Sequence, residues 1–416
     1  MFLMMEKMPR ADARRTDSTT MSYRVLMIAP TSFFLDYGCH VRILEEARVL
    51  QSFGHRVKIV TYPLGRNLPG LEIERTVPIP FHARNEVGPA RSKILIDALL
   101  ALKAFQTALA FKPHVIHAHL HEGALIGSVL SRLLRVPLVF DFQGSMTSEM
   151  IDHRFLRPRG RIVSLIRRVE WQIDRLPQRI LTSSQNAAHM LTDEFQVPSS
   201  KITVLSDCVN ASAFGPVEDG GRADRMRELQ ARLGIPEGRK IVIYIGLLAQ
   251  YRGTDALLDA AAQLLARRPD THFVVIGFPN IDHYQARARA LGIAEHVSFP
   301  GRVPYEDVPL WLSLGDVAID PKMSATEAAG KVLNYMAIGL PIVAFDIPVM
   351  REYLGDLGVY APLGSANGLS EQLAALLNDP ARGRGLGMKL RERAMEKFSW
   401  QAAGQEIERA YESVLK

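Results

Sequence analysis

The chain has 416 residues, of which 47% are hydrophobic and 23% charged, with a formal net charge of +6 and two cysteines. That length exceeds one ordinary hydrophobic core and predicts two domains, and the composition excludes wholesale disorder. Cys39 and Cys208 are too few for a disulfide framework or a cysteine-built zinc site and favour a reducing compartment.

The charge is unevenly spread. Residues 1–22 balance at +1, residues 23–215 at +7 and residues 216–416 at −2. Much of the excess lies between His153 and Ile180, where eight arginines (Arg154, Arg157, Arg159, Arg161, Arg167, Arg168, Arg175, Arg179) face only Glu170 and Asp174. A local basic face and an anionic partner for the first half are expected from this pattern. No apolar stretch of membrane-spanning length is free of charge. The best, 94–111 and 123–140, are broken by Asp97 and Lys103 and by Arg132 and Arg135, which argues against a span.

In chain order, residues 1–22 are polar, aperiodic and without an apolar signal core, so they are expected to form a disordered leader, with Met21 an alternative start. Tyr23 to Pro30 (YRVLMIAP) is a short branched apolar run, a buried strand. A helical pattern follows from Gly38 to Phe53 and stops at Gly54, and HRVKIVTY is the next strand. Strands recur at Pro113–His119, Val136–Phe142 and Arg179–Ser183. The second half repeats the pattern, with strands at Arg239–Gly246, Thr271–Gly277, His296–Phe299, Val317–Asp320 and Pro341–Phe345, separated by helical stretches.

Alternating buried strands and helices predict an α/β protein of two doubly wound, Rossmann-like parallel-sheet domains facing each other across a cleft. The expected boundaries are 23–212 for the first domain, 213–224 for a linker rich in glycine and acidic residues, and 225–395 for the second. A last helix in 396–416 has no strand after it and is free to pack back on the first domain.

There is no GxGxxG after a strand, no GxxxxGK[ST], no HExxH and no GxSxG, so dinucleotide, triphosphate, zinc-protease and hydrolase chemistries lose their main support. Three other segments carry candidate chemistry. The loop PTSFFLDYGCH opens a helix at Gly38, where free backbone N–H groups can meet an anion; a simple easing of the strand-to-helix turn explains the glycine equally well. HAHLHEG places His117, His119 and His121 at alternate positions. They share one face only while the chain stays extended, and it turns here, so a hydrogen-bonding role at the cleft is preferred to metal ligation, with two of the three structural. In DPKMSATEAAGKVLNYMAIGLPIVA, Glu327 could hold sugar hydroxyls or stabilise a helix start, Lys331 could neutralise a phosphate, and Asn334 could bond a diol.

Taken together, these segments resemble the retaining, GT-B-fold glycosyltransferases of family four (group 1), which use nucleotide-sugar donors. MIAPTSFFLDYGCHVRILEEARVLQSFGHRVKIVT is similar to the family's opening strand, glycine loop and helix, and VIHAHLHEGAL to its histidine loop. IVIYIGLLAQYRGTDALLDA resembles the diphosphate-holding start of the second domain, VSFPGRVPYEDVPLWLSLGDVAIDP the nucleobase side, and KVLNYMAIGLPIVA the hallmark helix and turn.

The resemblance puts Gly38 at the phosphate-loop glycine and His119, with His121 as fallback, at the cleft histidine that touches the donor sugar. Arg252 falls at the second diphosphate-binding basic position, usually lysine, and Val303 in the nucleobase segment. Two departures stand out. The first basic position holds Leu247, and the family's spaced pair of glutamates falls on Thr326 and Asn334, with Glu327 one residue from the first. Lys331, which occurs in some branches, is a candidate replacement for the cation missing at Leu247.

The resemblance therefore implies His119 and Glu327 as catalytic, and Gly38, Arg252, Lys331, Asn334 and Val303 as donor-binding. The donor is expected to be a UDP-sugar before a GDP-sugar, with no metal and no other cofactor. The acceptor is expected to be anionic, lipid-linked or a glycan, met through basic contact of 153–180 with the inner membrane face of a cytoplasmic protein; nucleic acid is not expected as a partner. A non-catalytic nucleotide-sugar binder, motivated by Leu247 and Asn334, and a GT-B-fold sugar-nucleotide epimerase are the rival readings.

Overall fold

The computed structural model describes residues 22–35, 38–78, 93–152, 155–210, 213–214, 220–324 and 329–415. The first half runs β1 (Arg24–Ala29), α1 (Gly38–Ser52), β2 (Arg56–Thr61), β3 (Glu72–Arg75), α2 (Lys93–Phe111), β4 (Val115–His119), α3 (Leu120–Leu134), β5 (Leu138–Phe142), α4 (Met146–Asp152), α5 (Arg161–Ile173), β6 (Arg179–Thr182), α6 (Gln185–Asp193) and β7 (Ile202–Val204). Its seven parallel strands lie in the order β3-β2-β1-β4-β5-β6-β7.

The second half runs α7 (Gly220–Arg232), β8 (Lys240–Leu247), α8 (Thr254–Leu265), β9 (Thr271–Phe278), α9 (Ile281–Ala290), β10 (Val297–Gly301), α10 (Val308–Leu312), β11 (Val317–Asp320), α11 (Gly330–Ile338), β12 (Ile342–Phe345), α12 (Pro348–Leu354), β13 (Val359–Ala361), α13 (Ala366–Asn378) and α14 (Pro380–Lys397), before the last helix, α15 (Trp400–Leu415). Six parallel strands lie in the order β10-β9-β8-β11-β12-β13. Helix α7 begins at Gly220, inside the stretch read from sequence as linker.

Strand period two divides the first core in two. Val25, Met27 and Ala29 of β1 point to α1 and α15, while Leu26 and Ile28 point to α2 and α3. Helix α15 thus packs back across the chain: Trp400, Ala403, Ile407, Ala410 and Tyr411 belong to the core of the first half. Helix α2 is, among the described residues, the one helix long and apolar enough to cross a bilayer. Here Ile96, Leu100, Ala104, Ala108 and Phe111, spaced by one helical turn, bury against the sheet.

In each sheet the strand order reverses once, between β1 and β4 and between β8 and β11. Ligands of open α/β sheets bind beyond the carboxyl ends of the strands at such reversals. The loops leaving β1, β4, β8 and β11 are the ones that carry the candidate motifs.

Candidate active site

The loop leaving β1 is organised by His40, in the first turn of α1. Its Nδ1 accepts the Leu35 N–H at 2.9 Å and its Nε2 meets the Thr31 hydroxyl. Burial, with Arg302 and Arg75 nearby, pushes the imidazole down to about 3, so it stays neutral. Gly38, the first residue of α1, is exposed, and a Cβ there would stand in open space. Gly38 thus adds no side chain of its own at the N-terminus of this 15-residue helix.

Behind this loop lies a buried charge network. Arg42 on α1 donates to Asp141 at the end of β5 (2.7 and 3.0 Å), to Asp207 (2.8 Å) and to the Leu205 carbonyl (3.1 Å), and pairs with Glu46 one turn along at 3.0 Å. Three carboxylates share one guanidinium, and they respond differently. Burial and the nearby Asp141 push Glu46 well above the usual carboxylate range, so it holds its proton. Asp141 is also buried, yet Arg42 and His119 hold it well below its ordinary value.

His119, the last residue of β4, bonds through Nδ1 to Asp141 at 3.1 Å and stacks on His117 with ring centroids 4.6 Å apart. His117 Nδ1 meets the Tyr411 hydroxyl of α15 at 2.7 Å, and burial keeps this imidazole neutral. Leu120 then takes a left-handed φ of 57°, an unusual conformation for leucine. The turn sends His121 to a different set of partners, Glu170 and Asp174. The strand face therefore holds two of the three histidines. In both, Nε2 is buried with no hydrogen-bond partner among the described residues; His117 Nε2 lies 3.5 Å from Glu46.

On the other sheet, β8 ends at Gly246 and Leu247. The Lys331 ammonium, from the first turn of α11, lies only 3.1 Å from where a Gly246 Cβ would stand, 3.1 Å from Asp320 and 4.4 Å from the Tyr244 ring. Burial works against its charge, but Asp320 outweighs this and holds the ammonium above the ordinary lysine range. Arg252 follows in a short 3-10 turn closed by Gly253, whose φ is 79°. A side chain at Gly253 would place its Cβ 1.9 Å from the Pro321 carbonyl oxygen, so that loop is locked onto the segment leaving β11. Two motifs that lie far apart in sequence thus meet at the second reversal point.

Asn334 is half-buried on the same side of α11 as Lys331, one turn further on. The Val303 side chain belongs to the core of the second half. Glu327 and Thr326 lie outside the described residues.

Four charged residues of this region were not singled out from the sequence: Arg42, Asp141, Asp207 and Lys322. Asp141 leaves a detectable signal, a lone carboxylate in the apolar run LVFDF, and Arg42 and Glu46 are spaced for one helix face. Asp207 lies at the start of α11, its Oδ2 2.9 Å from the position of a Gly330 Cβ. Lys322, fully buried after β11, lowers the pull of burial on Asp207 through its charge. Nothing in the local sequence around Asp207 indicates that contact.

Residues 37–208 match the glycosyl transferase 4-like domain and residues 225–397 the glycosyl transferases group 1 family. The chain is 26% identical over 409 residues to phosphatidyl-myo-inositol mannosyltransferase of Mycobacterium leprae, covering 94% of this chain and 97% of that one. It is 25% identical over 404 residues to D-inositol 3-phosphate glycosyltransferase of Kribbella flavida, covering 91% of each. In fold it resembles Anabaena HepE in complex with UDP and glucose, with a TM-score of 0.77 and 16% identity over 94% of this chain and 100% of that one. It also resembles WaaG, a glycosyltransferase involved in lipopolysaccharide biosynthesis, with a TM-score of 0.72 and 16% identity over 94% of this chain and 99% of that one. The paired Rossmann-like sheets are the GT-B architecture, and the chain belongs to the group 1 glycosyltransferases of family four.

Proposed function

We propose that this glycosyltransferase moves a sugar from a nucleoside diphosphate, UDP before GDP, to a phosphate-bearing acceptor, with retention at the anomeric carbon and no metal in the transfer step. The observation that carries this reading is the meeting of Lys331, Gly246 and the Arg252 loop at the end of β8. A cation stands beside the very step, Gly246–Leu247, where the family's first basic residue is missing. Lys331 and Arg252 are assigned the charge for the diphosphate, and the N-terminus of α1 is assigned to it from the other half. Asn334 is assigned to the ribose hydroxyls and the backbone around Val303 to the base.

Chemistry on such a site depends on stabilising the departing diphosphate. As the sugar–phosphate bond breaks, a leaving phosphate oxygen takes the proton of the acceptor hydroxyl on the same face, and the new glycosidic bond forms there. No protein base is required. His119, oriented by Asp141, is assigned to the donor sugar through Nε2; because that nitrogen is buried, donor entry has to open a path to it. Glu327 is assigned to sugar hydroxyls.

UDP is supported by the complex of the Anabaena relative in fold, and an inositol-containing anionic acceptor by the names of the relatives in sequence. A lipid-borne acceptor is further supported by the outer surface of the first half. Leu125, Val129 and Leu133 form an exposed row on α3, beside exposed Ile162, Leu165 and Val169 on α5. Arg157, Arg159, Arg161 and Arg168 are exposed around α5; His153 and Arg154 lie outside the described residues. An apolar patch rimmed by arginine fits an anionic membrane surface.

The test is turnover of UDP-, GDP- and ADP-sugars with inositol phosphate or phosphatidylinositol vesicles. A transferase frees the nucleotide and glycosylates the acceptor, and the anomeric coupling of the product reads retention. The rate should not depend on added Mg²⁺ or Mn²⁺. An isomerised donor would establish the epimerase instead, and saturable binding without turnover the binder.

A further inference from the structure

A second cluster of ligating side chains lies between α3 and α5, outside the donor-binding residues. His121 Nε2 stands 3.3 Å from Asp174 Oδ1 and 3.5 Å from Glu170 Oε1, and the three atoms all lie within 4.8 Å of one another. Glu170 and Asp174 are one helical turn apart, on one face of α5 and its C-cap, and His121 comes from the first turn of α3. All three side chains are buried, with 5%, 0% and 0% exposure.

Burial on this scale demands partners. Yet His121 Nε2, Glu170 Oε1 and both oxygens of Asp174 make no hydrogen bond among the described residues. Only Glu170 Oε2 is satisfied, by the Thr147 N–H at 3.0 Å. No lysine or arginine among the described residues pairs with either carboxylate. With both carboxylates ionised, a protonated imidazole leaves a net charge of −1 in this buried site, and a divalent cation with neutral imidazole brings it to zero.

The spacing discriminates between ions. Zinc held tetrahedrally by bonds of ~2.0–2.1 Å sets its ligand atoms ~3.3–3.4 Å apart. Octahedral magnesium at similar bond lengths sets neighbouring oxygens only ~3.0 Å apart. The two His121–carboxylate separations, 3.3 and 3.5 Å, lie nearer the tetrahedral value. The other group of three, Glu46, His117 and His119, meets a similar distance test, but the Arg42 guanidinium 3.0 Å from Glu46 already supplies the positive charge there.

We propose that His121 Nε2, Glu170 Oε1 and Asp174 Oδ1 hold one structural Zn²⁺, with water in the fourth position. The ion ties the start of α3 to α5 and so fixes the turn that presents His119. The Thr147 N–H holds the Glu170 carboxylate in the ligating orientation. The ion takes no part in the transfer step, so the proposal is independent of donor and acceptor.

The experiment uses the full, untagged chain, stripped with a strong chelator and titrated with Zn²⁺ alone at neutral pH. We expect close to one zinc per chain by elemental analysis and a rise in Tm of ~3 °C or more. His121→Gln and Asp174→Asn should each lose the ion while retaining the far-ultraviolet circular dichroism of the parent. An unchanged Tm without retained zinc overturns the proposal, as does undiminished zinc binding in both variants. Should the variants not fold, Co²⁺ in the unaltered chain gives the decision. A tetrahedral visible spectrum with one nitrogen and otherwise oxygen ligands by X-ray absorption supports the site, whereas two nitrogen ligands or any sulfur overturn it.

Discussion

We assign to Lys331 the charge that Leu247 does not supply. Its ammonium is buried against Asp320 and Tyr244, at the Gly246–Leu247 step that lacks the family's arginine. Lys331→Met should therefore lower kcat/KM for the donor by ~30–100-fold, the loss of a charge-assisted bond in a desolvated site. Leu247 is only half-buried, so adding Leu247→Arg to Lys331→Met should restore part of that loss, which steady-state kinetics on the four combinations would show. No recovery would mean that Lys331 acts through Asp320 and the fold. His40 makes a different prediction. Its folded pKa of about 3 lies below the unfolded value, so its contribution to stability is complete above ~6.5 and falls as pH drops towards 3. Between pH 7.5 and 5 the chain should lose roughly 2 kcal/mol through this group. His40→Gln should show a smaller drop in Tm over that interval, even if it starts lower. An equal drop in both proteins would remove His40 as the cause.

The close approach of α15 to α1 depends on Gly404, where a Cβ would lie 2.6 Å from Val49 Cγ2 and 2.9 Å from the Phe53 ring. Gly404→Val should cost ~1–3 kcal/mol by overpacking, read as a lower midpoint in urea. Gly385 on α14 has open space at the same test, so Gly385→Ala should be neutral or stabilising by ~0.5–1 kcal/mol. The same contrast between packed and open positions explains what could be read from the sequence. The ten strands found there are the longer or central apolar runs, which signal themselves by composition. The three that escaped, β3, β7 and β13, lie at or beside sheet edges and are three or four residues long. EIER and ITV are only partly buried, so neither alternation nor a continuous apolar run marks them. At the candidate site, Gly38, Arg252, Lys331 and Asn334 could be named from the sequence because motif spacing points to them. The Arg42 network was not, because it closes over separations of 99 and 165 residues that no local pattern records. His121 shows both sides of this: the turn that parts it from His119 was expected from the sequence and falls at Leu120, whereas its partners Glu170 and Asp174 come from a distant helix and leave no local signal.

Polar contacts join the two halves near the cleft. Glu352 accepts the Gln185 N–H at 2.9 Å, the Tyr353 hydroxyl donates to the Ser183 carbonyl at 3.1 Å, and Arg66 pairs with Glu306 at 3.0 Å. The halves also divide the charge, +7 against −2. On the proposed assignment the positive excess does not serve donor binding: the cations assigned to the donor are two side chains of the later half, whereas the arginines of α5 are exposed on the earlier one. The two acidic residues of that basic stretch, Glu170 and Asp174, turn inward, which leaves the exposed face of α5 more basic than its sequence. If that face meets anionic lipid, the chain should co-sediment with vesicles containing anionic phospholipid at low salt and be released as salt shortens the Debye length to ~10 Å and below. Replacing Arg161 and Arg168 together by glutamine should weaken binding about fivefold per arginine, at ~1 kcal/mol each. Ile162→Ser with Leu165→Ser, at residues 65% and 63% exposed, should weaken it further without lowering Tm. Turnover of a soluble inositol phosphate should stay unchanged in all these variants while turnover of vesicle-borne acceptor falls. Equal binding of the parent chain to neutral and anionic vesicles would refute the membrane role of this face.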